Sequence, residues 1–242
     1  MPTLGVEHGA LTAAFRRFLP RAVQRGDTVA DLGTGQGRAA LAVAGLARRI
    51  VGIDRDAQAL AAARAGAAAQ KLKHVQFTLA DLEQRGLLSR NLRHQLDCPT
   101  GFDSVLAHLC VSDRILKRAA ALVRPGGRVL VTALHTDQWY EAGRTSRFAY
   151  DERGLLGALR AAGLRPIEVE IETTEMTFSS MNLVKDLCLG GSRGKRYAKW
   201  QRDGRWRSLQ ESFNKGRRTL TTSRITALCE RGRELPGTGS PL

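Results

Sequence analysis

The sequence predicts an α/β fold: a doubly wound sheet of seven strands, mostly parallel, with helices on both faces. Three observations carry that expectation. Short runs of strand-forming residues alternate with alanine-rich helical stretches, the pattern of a parallel sheet wrapped by helices. The run Val29-Ala30-Asp31-Leu32 feeds a glycine-rich turn, residues 33–37, that opens directly into a helical stretch. Val123-Arg124-Pro125-Gly126-Gly127 then stops a helix just before another strand ending at Val131, because proline cannot continue a helix and glycines turn cheaply.

Each element follows in order. A leading helix is expected over 8–26, with Leu11, Phe15 and Leu19 along one face. Strands at 29–32, 50–54, 75–79 and 102–107 alternate with helices at 37–48, 56–71, 84–96 and 113–123. A helix at about 151–162 follows the fifth strand. The sixth strand, 166–173, alternates polar and apolar residues, which fits one solvated face. The last strand is placed at 219–229, which makes 174–218 a helical insert and 232–242 a loose tail. We expect one domain over residues 1–231, a length that can bury a sizeable core.

Composition excludes several classes. No run of about 18 apolar residues occurs, so no membrane span is expected. The first residues lack a basic-then-apolar leader. Cys98, Cys110, Cys188 and Cys229 show no paired spacing and read as reduced thiols of a cytoplasmic protein, not as a metal site. The net charge of +15 points to an anionic partner such as RNA, yet the excess is mostly arginine beside abundant alanine and glycine, as a GC-rich genome would produce.

The glycine turn carries the chemistry. A dinucleotide fingerprint needs its third glycine at position 38, which is Arg38. Here Gly33, Gly35 and Gly37 alternate, and Asp31 lies two residues before the first. An acid there repels phosphate and attracts an ammonium or sulfonium group. That pattern resembles motif I of the class I S-adenosylmethionine-dependent methyltransferases, and four more signals recur in the expected order. The resemblance implies that Asp54, with Arg55 beside it, accepts from the ribose hydroxyls. It implies that Asp81 accepts from the adenine amino group while Leu82 packs on the ring. Phe102-Asp103 opens the fourth strand, and the Pro-Gly-Gly stop precedes the fifth. It also implies the strand order 3-2-1-4-5-7-6 with an antiparallel seventh strand. Asp31 and Asp54 read alternatively as surface acids at strand ends, and Asp81 as a helix N-cap.

Ligands of such sheets lie beyond the carboxyl ends of the strands. His108, Leu109 and Asp113 after the fourth strand, and His135, Asp137, Trp139 and Tyr140 after the fifth, should therefore face the methyl group. His108 and His135 are the base candidates, because imidazole titrates near neutrality. His108 also reads as a residue lining the cofactor pocket, and His135 as a loop cap. Arg144 and Arg147 suit an anionic acceptor, or are ordinary loop charges. Cys110 lacks the preceding proline of cytosine-5 methyltransferases, Leu109 standing there, and no Asn/Asp-Pro-Pro-aromatic motif follows the fourth strand. The pattern looks most like the branch acting on small molecules, including quinone-type acceptors. An RNA methyltransferase gripping its substrate through the basic segment Arg193–Arg218, interrupted by Trp200, Trp206 and Phe213, is the second reading. Against it, Trp206, Leu209 and Phe213 share one helical face, which leaves the arginines simply solvated. A non-catalytic scaffold is the third reading, and a dehydrogenase a distant fourth.

Overall fold

A computed structural model of the chain describes residues 10–84 and 89–232. In chain order the first half comprises α1 (Ala13–Ala22), β1 (Thr28–Leu32), α2 (Arg38–Ala42), β2 (Arg49–Asp54), α3 (Ala57–Ala69), β3 (Val75–Leu79), α4 (Ser89–Gln95), β4 (Phe102–His108) and α5 (Asp113–Leu122). There follow β5 (Val123–His135), a 3-10 turn at Tyr140–Ala142, β6 (Ala149–Tyr150), α6 (Glu152–Ala161) and β7 (Leu164–Thr177). The insert contains α7 (Met181–Leu189), α8 (Lys195–Arg202) and α9 (Arg205–Asn214), and β8 (Thr219–Arg231) closes the sheet.

The sheet runs β3-β2-β1-β4-β5-β8-β7, with β6 paired to β5 off this path. Strands β1 to β5 are parallel to their neighbours. The last pairings reverse: Thr173 meets Ser223, whereas Phe178 N–H donates to Arg218 O, so partner numbers fall along β8 as they rise along β7. The fold and strand order are those expected, with one strand more. The extra strand is only two residues long, too short to carry a periodicity.

Side chains at strand and helix ends explain several boundaries. Asp56 caps α3 by accepting from the N–H groups of Gln58 and Ala59, and Ser112 caps α5 by accepting from Ile115. Thr28 N–H and Oγ1 donate to Asp103 Oδ2 at 2.8 and 2.7 Å, and Arg124 Nε donates to Oδ1 at 2.6 Å, so one carboxylate clips β1, β4 and β5 together.

Three expected elements are corrected. The helix expected over 37–48 is only Arg38–Ala42, because the chain turns at Val43–Leu46 around Gly45, a poor helix former. The leading helix begins at Ala13, where the Thr12 side chain caps it, and ends at Ala22. The helix expected over 84–96 is described over Ser89–Gln95; residues 85–88 lie outside the described ones, as do 8–9 and 233–242. The sixth expected strand, now β7, extends to Thr177, and its charged side is no more solvated than its apolar one. Arg17 and Arg21 of α1 pair with Glu170 and Glu168, while Ile167 and Ile171 remain exposed.

The packing forms two compact units. One is built from Leu11–Ala133, Glu152–Glu170 and residues 226–232, and holds a core of Phe15, Phe18, Val29, Ile50, Leu60 and Leu106 with their neighbours. The other, here the insert unit, is built from Leu134–Asp151 and Ile171–Ile225, around Trp200, Phe178, Val184, Leu189, Leu209 and Leu220.

Candidate functional site

Within the first unit the glycine turn stands at the carboxyl end of β1. Gly33, Gly35 and Gly37 all hold positive φ, at 63°, 52° and 82°, a region other residues enter at a cost. At Gly33 a side chain would also meet the Cys110 Cβ and Sγ at 2.6 Å. A Cβ on Gly35 would meet no atom within 4 Å, so that backbone faces open space. The turn is tied by Thr34 N–H to Ile53 O at 3.0 Å and Gly37 N–H to Thr34 O at 2.8 Å. With only five residues behind it, α2 has a weak dipole and attracts anions little.

Asp31 lies beneath the turn, 1% exposed. Its Oδ2 accepts from Thr34 Oγ1 at 2.5 Å and from Ala40 N–H at 3.2 Å. Burial raises its pKa to about 7, partly offset by those two hydrogen bonds, with the Asp54 charge adding to the rise. The side chain therefore braces the loop from beneath. Burial, with Asp31 and Asp54 nearby, likewise pushes the Cys110 thiol far up, leaving it a protonated donor to Leu32 O at 2.9 Å.

Asp54 ends β2. Its Oδ2 accepts from Gly35 N–H at 2.7 Å and its Oδ1 from Asp56 N–H at 2.9 Å, and each oxygen keeps a further lone pair. Arg55 is exposed. Asp81 is exposed and its Oδ1 accepts from Glu83 N–H at 2.9 Å. Leu82 is buried in the core. The apolar side chain that does stand out is Leu79, which pairs with Asp54 across the β2–β3 register and is 57% exposed. Sequence reasoning missed it because strand alternation marks it as one more core position. Glu83 was missed too: it accepts from Ser112 Oγ, and Arg114 bonds its carbonyl, joining the loop after β3 to the start of α5.

His108 is drawn to α1. Its Nε2 accepts from Thr12 N–H at 3.2 Å and its ring meets Phe15 edge-on at 4.8 Å. Leu109 takes a left-handed φ of 60° at the end of β4, and Asp113 is exposed at the first position of α5.

In the insert unit, His135 is buried at the end of β5. Its Nδ1 accepts from Asp137 N–H at 3.3 Å, which caps the loop, and Asp137 Oδ2 lies 3.4 Å from the same nitrogen. Trp139 adopts a left-handed φ of 56°, held by its N–H to Thr221 O at 2.8 Å. Its ring meets Trp200 edge-on at 5.2 Å and lies under the Arg196 guanidinium at 5.3 Å. Tyr140, Arg144 and Arg147 are exposed, Arg147 lying over Phe148.

The basic segment corrects one expectation. Three of its seven arginines are not simply solvated, whereas Arg193, Arg202, Arg207 and Arg217 are exposed. Arg196 donates to Cys188 O at 2.9 Å, Arg205 chelates Asp203 while covering Trp200, and Arg218 covers Phe213. Guanidinium is weakly hydrated and stacks on rings more readily than ammonium does. Trp200 itself is 1% exposed, and Trp206 meets Tyr197 edge-on at 4.9 Å. Among the described residues no group of three or more His, Cys, Asp and Glu is placed to hold a metal ion, and no helix is long and apolar enough to cross a membrane.

A doubly wound sheet with an antiparallel strand next to its edge, a left-handed glycine turn after β1 and an acid closing β2 define a methyltransferase fold of the Rossmann-like class. The comparison with protein families agrees: residues 24–182 match the family described as a methyltransferase domain, and the chain belongs to it. No curated protein matches by sequence. Among solved structures, a Bacillus halodurans C-125 protein described as a methyltransferase has TM-score 0.64 at 17% identity, over 91% of this chain and 100% of its own. The [4+2]-cyclase SpnF has TM-score 0.58 at 18% identity, over 91% of this chain and 81% of its own. A geranyl diphosphate C-methyltransferase from Streptomyces coelicolor A3(2), bound to Mg2+, geranyl diphosphate and S-adenosyl-L-homocysteine, has TM-score 0.52 at 16% identity, over 90% and 77%. These likenesses are of fold.

Proposed function

We propose that this protein transfers the methyl group of S-adenosylmethionine to a small-molecule acceptor in the cytoplasm. The observation that carries the cofactor reading is the left-handed glycine turn: Gly35 faces open space while its amide is pinned to Asp54, and exposed Leu79 stands alongside. Such a cradle fits an adenosyl group. Asp54 would use its remaining lone pairs on the ribose hydroxyls, with Arg55 flanking. Leu79 would offer an apolar face to the base and Asp81 an acceptor at its polar edge. Leu82 would support that loop from the core. Gly33 and Gly37 would shape the turn, and ionised Asp31 would favour a positive charge above it. When bound, the cofactor supplies a methyl group on a cationic sulfur, already a good leaving group. The chain's own task is then alignment and exclusion of water.

On the acceptor side, His135 is the group we assign to proton removal where the acceptor needs it. His108 is assigned a positioning role through α1. Tyr140, Arg144 and Arg147 are proposed acceptor contacts, with Trp139 shaping the surface behind them. The small-molecule reading is favoured over RNA because Trp200, Trp206 and Phe213 are engaged inside the insert unit, so the aromatics of the basic segment are not free to stack on bases. The four cysteines are unpaired, in keeping with a reducing compartment. The test is methyl transfer from tritiated cofactor to total RNA and to a metabolite extract in parallel. Label in the extract alone is expected. Label in RNA that weakens steeply with salt would overturn the acceptor assignment, and calorimetry showing no cofactor binding would overturn the whole reading.

A further inference from the structure

A polar cluster gathers inside the insert unit along Thr221–Arg224 of β8. Gln138 is 4% exposed, and its Oε1 accepts from Ser223 N–H at 2.7 Å and from the Arg224 guanidinium. Those two bonds fix which way the amide points, so its Nε2 is the atom buried without an acceptor. Trp139 Nε1 is likewise buried without an acceptor, and Glu141 Oε2 and Glu172 Oε2 are buried without donors. The other Glu141 oxygen accepts from Thr221 N–H at 2.8 Å and Oγ1 at 2.5 Å, so this carboxylate is locked in place. Glu172 is opposite Arg224 across the strands, next to the Thr173–Ser223 contact at 2.9 Å. Burial foremost, and then the Arg196 charge, lower the Arg224 pKa, with Glu172 opposing, to about 10.

Buried polar atoms are nearly always partnered, and four orphans around two neighbouring guanidiniums call for a ligand that completes them. Guanidiniums and N–H donors recognise an oxyanion. Carboxylate oxygens without donors recognise a hydroxyl or acidic proton. We infer that this cluster binds a small molecule carrying an oxyanion with a hydrogen-bond donor beside it, a hydroxy acid or a phosphate monoester. The oxyanion goes to Arg196, Arg224, Gln138 and Trp139, and the donor to Glu141 and Glu172. The Trp139–Gly143 turn carries two of these groups, Trp139 and Glu141, so its amides report on the binding. That this molecule is the methyl acceptor rests on the small-molecule reading above; the binding itself does not.

The experiment follows the Trp139 indole N–H of the nitrogen-15-labelled full chain, assigned with Trp139→Phe, while inorganic phosphate, lactate, acetate or chloride is added at constant ionic strength. We expect a saturable shift with phosphate or lactate that acetate matches only weakly, together with movement of the Tyr140–Gly143 amides. A stronger response to phosphate assigns the phosphate monoester, and a stronger response to lactate the hydroxy acid. Arg224→Gln should weaken the response at least tenfold. Should that variant fail to fold, Glu172→Gln serves in its place: it should erase the advantage of lactate over acetate and leave acetate unchanged. A shift no larger than that with chloride, or one that survives both substitutions, overturns the proposal. Calorimetry of the same sample with S-adenosylmethionine reports the cofactor site separately, so failure of one reading is distinguishable from failure of the other.

Discussion

Asp31 and Asp54 beside the glycine turn close hydrogen bonds with Thr34, Ala40, Gly35 and Asp56, whereas Gln138, Trp139, Glu141 and Glu172 in the insert unit each bury one polar atom without a partner. The first region is a finished scaffold. Its backbone is held in an unusual shape by its own acids, and the ligand needs only to settle on it. The second region carries unsatisfied desolvation, roughly 1–3 kcal/mol for each orphaned group, and that is the condition of a surface awaiting a complement. The difference separates a turn braced by its own acids from a polar cluster left incomplete.

The strongest way to break this contrast is to damage one region and watch the other. Trp200→Ala empties the centre of the insert unit and should cost about 3–5 kcal/mol in urea denaturation, while cofactor affinity by calorimetry stays within about twofold, far below the tenfold that 1.4 kcal/mol represents. A large loss of cofactor affinity would mean that the two regions are one site.

Asp31 comes next. The folded chain holds its proton up to about pH 7, while the unfolded chain releases it near the ordinary aspartate value of 3.8. Between those values the unfolded state binds fewer protons, so this group lowers stability as pH rises and the loss is complete above pH 7. Asp31→Asn should therefore gain on the parent across that window by on the order of 3–4 kcal/mol. Affinity for the cationic cofactor should rise through about pH 7 as Asp31 ionises, while the neutral S-adenosylhomocysteine shows no such rise. A pH-independent difference between parent and variant would refute the buried-acid assignment.

Gly33→Ala combines a left-handed backbone with contact against Cys110, and should cost about 2–4 kcal/mol of stability along with cofactor binding. Asp54→Ala removes charged hydrogen bonds of about 1.5–3 kcal/mol, so cofactor affinity should fall tenfold or more. The smallest effect sharpens the background. Asp56→Ala loses the α3 cap for about 1 kcal/mol of stability and should leave affinity for both ligands unchanged.

Much of the glycine-turn region was legible because its signals are local. Gly33, Gly35, Gly37 and Asp54 sit within one strand-turn-helix-strand run, and their roles follow from backbone conformation and strand ends. Leu79 was not legible: its exposure depends on which strands flank β3 and on how the loop to Asp81 leaves the sheet. His108 reads as a base by chemistry, and only the approach of Thr12, 96 residues away, commits its ring to a helix start. The arginines of 193–218 read as solvated by composition, yet the packing of α7, α8 and α9 brings Trp139, Trp200 and Phe213 beneath three of them, Arg196, Arg205 and Arg218.

The sequence by itself determined the order of strands and helices along the chain and the sharp turn after β1. Hydrophobic period and glycine and proline chemistry act over a few neighbours. The tertiary structure decided which polar atoms are left without partners. That depends on segments 50 to 85 residues apart, such as Gln138 with Ser223 and Thr173 with Ser223, meeting across strands. Burial is a property of what covers a group, and no local pattern records it.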